Sequence, residues 1–156
     1  MKIAIAFDHA GQPLLDAITA TVTEQGHEPV VLGWSTDYPD IALAVGKAVA
    51  EGDADRGILI CGSGAGVAIA ATKLDGVRAA CAHDHYTAAQ CVTHDDTNVL
   101  CLGGRVIGAN VATDVTEAFL NAEFSGEERH QRRLDKVGQI ETDGLGAQLG
   151  ELQPVA

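Results

Sequence analysis

Five short apolar runs are spaced along the chain with helical stretches between them, and that alternation leaves few folds open. The runs are Ile3 to Phe7, Pro29 to Leu32, Gly57 to Cys61, Val77 to Ala82 and Asn98 to Leu102. They are apolar on both alternating faces, as strands covered on both sides must be. Between the first two, Leu14, Ile18 and Val22 mark a helical stripe, with Pro13 near its start and Gly26 after its end. Ile41, Val45, Ala48 and Val49 mark another, Val67 to Ala71 a third, and residues 85–93 and 109–122 supply two more. The pattern predicts an α/β fold: a three-layer, Rossmann-like domain with a five-stranded parallel sheet. A final polar segment, Arg129 to Ile140, reads as a C-terminal helix with Leu134 and Val137 facing inward. The expected organisation is one domain over 1–142 and a tail over 143–156, mobile or extended onto a partner.

Length and charge narrow the function. A chain of 156 residues can bury one core. Its net charge of −12 argues against nucleic acid or an anionic membrane surface as partner. No apolar run approaches the roughly 20 residues of a membrane span. The four cysteines, Cys61, Cys81, Cys91 and Cys101, form no CxxC and no disulfide framework. Cys81 and Cys101 lie inside apolar runs and are expected to be buried. The acidic turn soon after the N-terminus is unlike a signal peptide, so a reducing cytoplasm is the expected setting.

In parallel sheets of this kind, ligands bind at the carboxyl ends of the strands. Asp8-His9, Cys61-Gly62-Ser63, His83-Asp84-His85 and Gly103-Gly104-Arg105 all fall there. The stretch Cys61 to Gly66 is a strand end, a glycine-rich turn and a helix start, where backbone N–H groups converge on an anion. It is not a dinucleotide fingerprint, because Val67 stands where the third glycine belongs. It lacks the Gly-Lys-Ser/Thr of a P-loop; the Gly two residues before Ser63 of a hydrolase elbow, where Cys61 stands; and the Arg six residues after Cys61 of a cysteine phosphatase, where Val67 stands. A thiol beside a helix N-terminus is a candidate base, and Ser63 a candidate proton shuttle. The plainer alternative is a tight turn that packs a helix on a sheet.

The histidines do not show zinc spacing, so no metal is expected. His94 opens what reads as a polar loop into the fifth strand. Arg129 and Arg133 stand four apart in the one basic cluster; on a helix they share a face and suit a phosphate. Alternatively they form a solvated face paired with Glu127, Glu128 and Asp135.

Asp8-His9-Ala10-Gly11, Thr36 to Asp40, Ile60 to Gly64, His94 to Gly108 and Arg129 to Arg133, in this order, resemble the ribose-5-phosphate isomerase B family. That family also contains galactose-6-phosphate and allose-6-phosphate isomerases. The resemblance implies aldose–ketose isomerisation of a phosphorylated sugar through a cis-enediolate, without cofactor or metal. It implies that Cys61 is the base and that Ser63 moves the proton between the oxygens. The amides of Gly62, Gly64, Ala65 and Gly66 would hold the enediolate oxygen. His94 would open the ring, while Asp8, His9 and Tyr38 line the sugar, with Asp95 beside it. Arg105, Arg129 and Arg133 would bind phosphate. It further implies a homodimer, or a tetramer built from one, with shared sites. Ribose 5-phosphate is the leading substrate; a tetrose 4-phosphate, allose 6-phosphate or galactose 6-phosphate are the alternatives, and a non-catalytic anion-binding module is a third reading. Asp95 stands where the family usually has Asn, Thr72 where it has Asn, and Glu127-Glu128 where it has glycine. An ionised carboxylate only accepts hydrogen bonds, so Asp95 bears directly on substrate choice.

Overall fold

The computed structural model describes residues 1–150, Leu152 and Val155. It divides into two compact units, Met1–Phe124 and Ser125–Ala156.

The first unit alternates strand and helix throughout. Strand β1 (Lys2–Phe7) leads through a 3-10 turn at Gln12–Leu14 into α1 (Leu15–Glu24). Then follow β2 (Glu28–Trp34), α2 (Tyr38–Ala50), β3 (Arg56–Cys61) and α3 (Ala65–Ala71). Next come β4 (Ala79–Cys81), α4 (His85–Asp95), β5 (Val99–Gly103) and α5 (Ala109–Asn121). All five strands are parallel, in the order β2-β1-β3-β5-β4. The chain leaves β1 to one side and returns to pair β3 on the other, so the strand order reverses between β1 and β3. The carboxyl ends at such a point form the crevice where these sheets bind ligands.

Period-two alternation sorts the side chains onto two cores. Ile3, Ile5, Phe7, Ile58, Ile60, Leu100 and Leu102 face α1, α4 and α5. Ala4, Ala6, Leu59, Cys61, Val99 and Cys101 face α2 and α3. On this side the sheet presents mostly small residues, with Ala4, Ala6, Gly57, Cys61 and Cys101 among them. A Cβ on Gly57 would strike Val45 of α2, which holds this layer close to the sheet.

Two expectations need correction. The outer strands are not covered on both sides: Val31, Leu32 and Trp34 of β2 are exposed. Proline at position 29 and a register shift opposite Ile5/Ala6 interrupt the outer strand β2. Cys81 is exposed rather than buried, because β4 is only three residues long and is the other outer strand.

The second unit is built on α6 (Glu128–Asp143), followed by a 3-10 turn at Gly144–Gly146. The helix outlasts the expected Ile140. The chain then turns back, and the Gln139 side-chain amide donates to the Gln148 carbonyl at 3.3 Å. Of the two residues expected to face inward on this helix, Leu134 is half-buried and Val137 is exposed, as is Ile140, because within its own unit α6 packs only against the short turn that follows it. Arg129 pairs with Glu127 at 2.8 Å, one of the partners expected of a solvated face.

Candidate active site

Three loops are clasped at the carboxyl ends of β1, β3 and β5. The Asp8 amide donates to Ile60 O at 2.9 Å, and the Asp8 carboxylate accepts the amides of Ala10 (2.8 Å) and Gly11 (3.1 Å). The amide of Gly104 donates to Cys61 O at 2.8 Å and that of Arg105 to Gly62 O at 3.1 Å. Backbones approach so closely that a Cβ on Gly11 would stand 2.5 Å from Ile60 O, and one on Gly104 would strike the Ala10 carbonyl. Glycine is the residue that permits this packing.

Cys61 ends β3 buried on the α2/α3 side. Its sulfur accepts the Gly64 amide at 3.2 Å, and the Ser63 hydroxyl accepts the Ala65 amide at 3.3 Å. Two of the amides expected to face an enediolate are thus engaged by the loop's own side chains. Gly64 takes φ +78°, and this left-handed residue starts α3. The Tyr38 ring lies 3.2–3.3 Å from where a Gly66 Cβ would be. The Arg105 side chain runs past Gly62, with Cδ 3.7 Å and Nε 3.9 Å from that glycine's Cβ position. A thiol, a hydroxyl, a phenol ring and a guanidinium therefore surround one short loop. His9 is exposed beside the buried Asp8.

Two further neighbours join the loop: Cys81, which was expected to be buried, and His83, which was expected at a strand end but given no role. The exposed Cys81 thiol lies 3.7 Å from Ser63 O and 3.9 Å from His83 Nε2. Although the residue is exposed, partial desolvation of its sulfur against the loop, and then the nearby Cys61, push the Cys81 thiol up from its ordinary pKa. His83 Nε2 accepts the Gly103 amide at 2.9 Å, which puts its ring proton on Nδ1. The signal for both was position, one at the end of a strand and one just beyond it.

His94 and Asp95 are elsewhere. They belong to the last turn of α4, not to a loop. The helix leaves the carboxyl end of β4 and must return the chain to the start of β5, so it runs antiparallel to the strands. Its end meets Arg78, just ahead of β4, through a hydrogen bond from Arg78 Nε to Asp96 O at 2.7 Å. Cys61 pairs in register with Gly103, four residues further along than Val99, or about 13 Å up the sheet. One chain does not bring His94 to its own Cys61. Arg129 and Arg133 are exposed on α6 of the second unit.

Residues 3–137 match the model of the family described as Ribose/Galactose Isomerase. The chain belongs to that family. Within it, the Escherichia coli protein named ribose-5-phosphate isomerase B is 44% identical over 144 residues, spanning 90% of this chain and 96% of that one. A D-erythrulose-4-phosphate isomerase of Pectobacterium atrosepticum is 37% identical, spanning 90% and 95%. A crystal structure of Mycoplasma genitalium ribose-5-phosphate isomerase B with bound ribulose 5-phosphate superposes with a TM-score of 0.83 at 40% identity, covering 91% of this chain and 97% of that one. As a member of the ribose/galactose isomerase family this chain is an aldose–ketose isomerase acting on phosphorylated sugars. Among the described residues, no group of three or more His, Cys, Asp or Glu is placed to hold a metal ion. No helix of the described residues is long and apolar enough to cross a membrane.

Proposed function

We propose that this chain interconverts D-ribose 5-phosphate and D-ribulose 5-phosphate through a cis-enediolate, in a site completed by a second copy. The observation that carries the reading is the Cys61 thiol at the end of β3, with Ser63, Tyr38 and Arg105 around its loop. Cys61 as thiolate takes the C2 proton of the open aldose and returns it to C1. Ser63 passes a proton between O1 and O2. Charge developing on the enediolate oxygens meets the loop amides that Cys61 and Ser63 do not engage, those of Gly62 and Gly66. Arg105, with Arg129 and Arg133, receives the phosphate. Asp8 holds the first loop in shape, and His9 and Tyr38 border the sugar.

Ring opening needs an acid–base group: the proton on O1 leaves, the C1–O4 bond breaks, and O4 is protonated. His94 has the chemistry, but its own chain holds it at the far end of the sheet. A homodimer in which each copy lends His94 and Asp95 to the other's Cys61 reconciles the two facts. The exposed apolar residues of β2 and α6 are surface such an assembly could cover.

A second reading, a tetrose 4-phosphate as substrate, is favoured by the relatives named D-erythrulose-4-phosphate isomerase at 37% and 36% identity. A panel of ribose, erythrose, allose and galactose phosphates, run on the unaltered chain and on Cys61→Ala, tests both. The proposal expects turnover of ribose 5-phosphate that Cys61→Ala abolishes while the fold is kept. Turnover confined to the tetrose selects the second reading. A fully active Cys61→Ala removes the proposed base, and binding without turnover of any sugar leaves the anion-binding module.

A further inference from the structure

Asp96 is the one non-glycine residue with a positive φ among the described residues, at φ 50° and ψ 42°. It closes α4 directly after His94 and Asp95. Its amide donates to Val92 O at 3.0 Å, and the next amide, of Thr97, donates to Cys91 O at 3.1 Å. The first of these bonds is a common helix ending, a single 5→1 turn closed by a left-handed residue, but that residue is usually glycine. An L residue adopts that conformation rarely and needs something to hold it there.

Arg78 holds it. Its Nε donates to the Asp96 carbonyl at 2.7 Å and one Nη to the Asp96 carboxylate at 2.6 Å, a two-pronged grip on backbone and side chain together. Arg78 is itself fixed: its amide donates to Asn98 Oδ1 at 2.8 Å, its carbonyl accepts the Asn98 amide at 3.0 Å, and Asn98 Nδ2 donates to Gly76 O at 2.9 Å. The grip sets the direction in which the last turn of α4 presents His94 and Asp95. The apolar packing of α4 rests on Ala88, Cys91 and Val92, in a cluster to which Arg78 does not belong.

We propose that Arg78 is a positioning residue for sugar-ring opening, acting through Asp96 on His94. The inference rests on the reading of His94 given above. It separates two parts of the reaction. Ribose 5-phosphate is a ring closed between C1 and O4, whereas proton transfer at Cys61 uses only the open aldehyde. A chain that still performs proton transfer but opens rings poorly must wait for the sugar to open by itself.

The experiment measures the rate on ribose 5-phosphate as enzyme concentration is raised to excess, for the unaltered chain and for Arg78→Met, Arg78→Lys and Asp96→Asn. Asparagine tolerates the left-handed conformation and loses only the charge partner, which covers the case in which an Arg78 variant fails to fold. In the unaltered chain the rate is expected to keep rising with enzyme. In the Arg78→Met chain the rate at low enzyme is expected to fall roughly 10- to 100-fold, the scale of a misplaced catalytic group. It should then bend over towards the uncatalysed ring-opening rate, the same ceiling that His94→Asn reaches. Arg78→Lys keeps the charge without the fork and should resemble Arg78→Met. Asp96→Asn should show the same ceiling more weakly. A rate that falls but still rises in proportion to enzyme, with no ceiling, makes Arg78 merely structural and overturns the proposal. So does a rate equal to the parent's. If the unaltered chain shows no turnover of ribose 5-phosphate, the functional reading itself fails, before any variant is compared.

Discussion

The Gly64 amide donates to the Cys61 sulfur across 3.2 Å, and Gly64 is also the residue whose added Cβ would stand 2.7 Å from the Cys81 sulfur. The glycine is squeezed between two thiols, with φ +78°. Gly64→Ala is therefore expected to cost at least about 1–2 kcal/mol for the left-handed conformation alone and to displace the loop. Adding Cys81→Ala should restore part of the stability, since it relieves the sulfur contact and not the backbone strain. Urea unfolding of the single and double variants checks this; a Gly64→Ala chain as stable as its parent would show that the loop relaxes freely.

Sharing of the site has an arithmetic signature. Assayed alone under limiting enzyme, the Cys61→Ala chain should be inactive on ribose 5-phosphate, and the His94→Asn chain should keep only the small turnover that spontaneous ring opening feeds. Unfolded together and refolded, half of the dimers are mixed, and each mixed dimer has one intact site. About one quarter of the parent's activity should return. No return would place Cys61 and His94 of one site on the same chain, against the geometry of α4.

Arg56 closes the far end of α5. Its guanidinium donates to the carbonyls of Phe119 and Ala122, the latter at 2.8 Å, and lies 5.1 Å from the centre of the Phe119 ring. These are carbonyls that the helix end leaves without partners. Arg56→Ala should lower stability by about 1.5–3 kcal/mol, the range for hydrogen bonds from a charged group. Arg56→Lys should not recover it, because a single ammonium lacks the fork. Chemical denaturation decides; a loss below roughly 0.5 kcal/mol would show that water replaces the arginine.

Asp95 offers a carboxylate where the resemblance implies an amide. If it meets the reacting carbons of the second copy's sugar, its charge opposes the enediolate, and Asp95→Asn should raise kcat/KM on ribose 5-phosphate. If it accepts from a hydroxyl of another sugar, the same change should lower activity on that sugar. The substrate panel run on both proteins separates the two by sign, and no change on any sugar would remove Asp95 from the site.

The alternation of Ile58-Leu59-Ile60 with Val67-Ala68-Ile69-Ala70-Ala71 was enough to place β3 and α3, and with them Cys61, because strand and helix periods differ in sequence as they do in space. Every strand was found within a few residues. What the sequence did not disclose follows from the third dimension. His94-Asp95-Asp96 reads as a loop because three polar residues in a row carry no periodicity, yet they finish a helix whose end is fixed by Arg78, far off in sequence. The Cys81 run looked buried because apolarity cannot tell an outer strand from an inner one. The engagement of the Gly64 and Ala65 amides by Cys61 and Ser63 depends on rotamers that no pattern encodes.

The unequal size of the residues on the two faces of the sheet has a consequence for how the protein can change. Beneath α1 and α5, large side chains such as Ile3, Ile5 and Phe7 leave volume that neighbours can exchange among themselves. Beneath α2 and α3, Ala4, Ala6 and Gly57 leave none. An added methyl group there lifts a helix: at Gly57 it would strike Val45 of α2, the helix whose first residue, Tyr38, stands against the Cys61 loop at Gly66. Neutral drift is thus open to one side of the molecule and closed to the other, so the thin side keeps its sequence for reasons of thickness even where no residue touches a sugar.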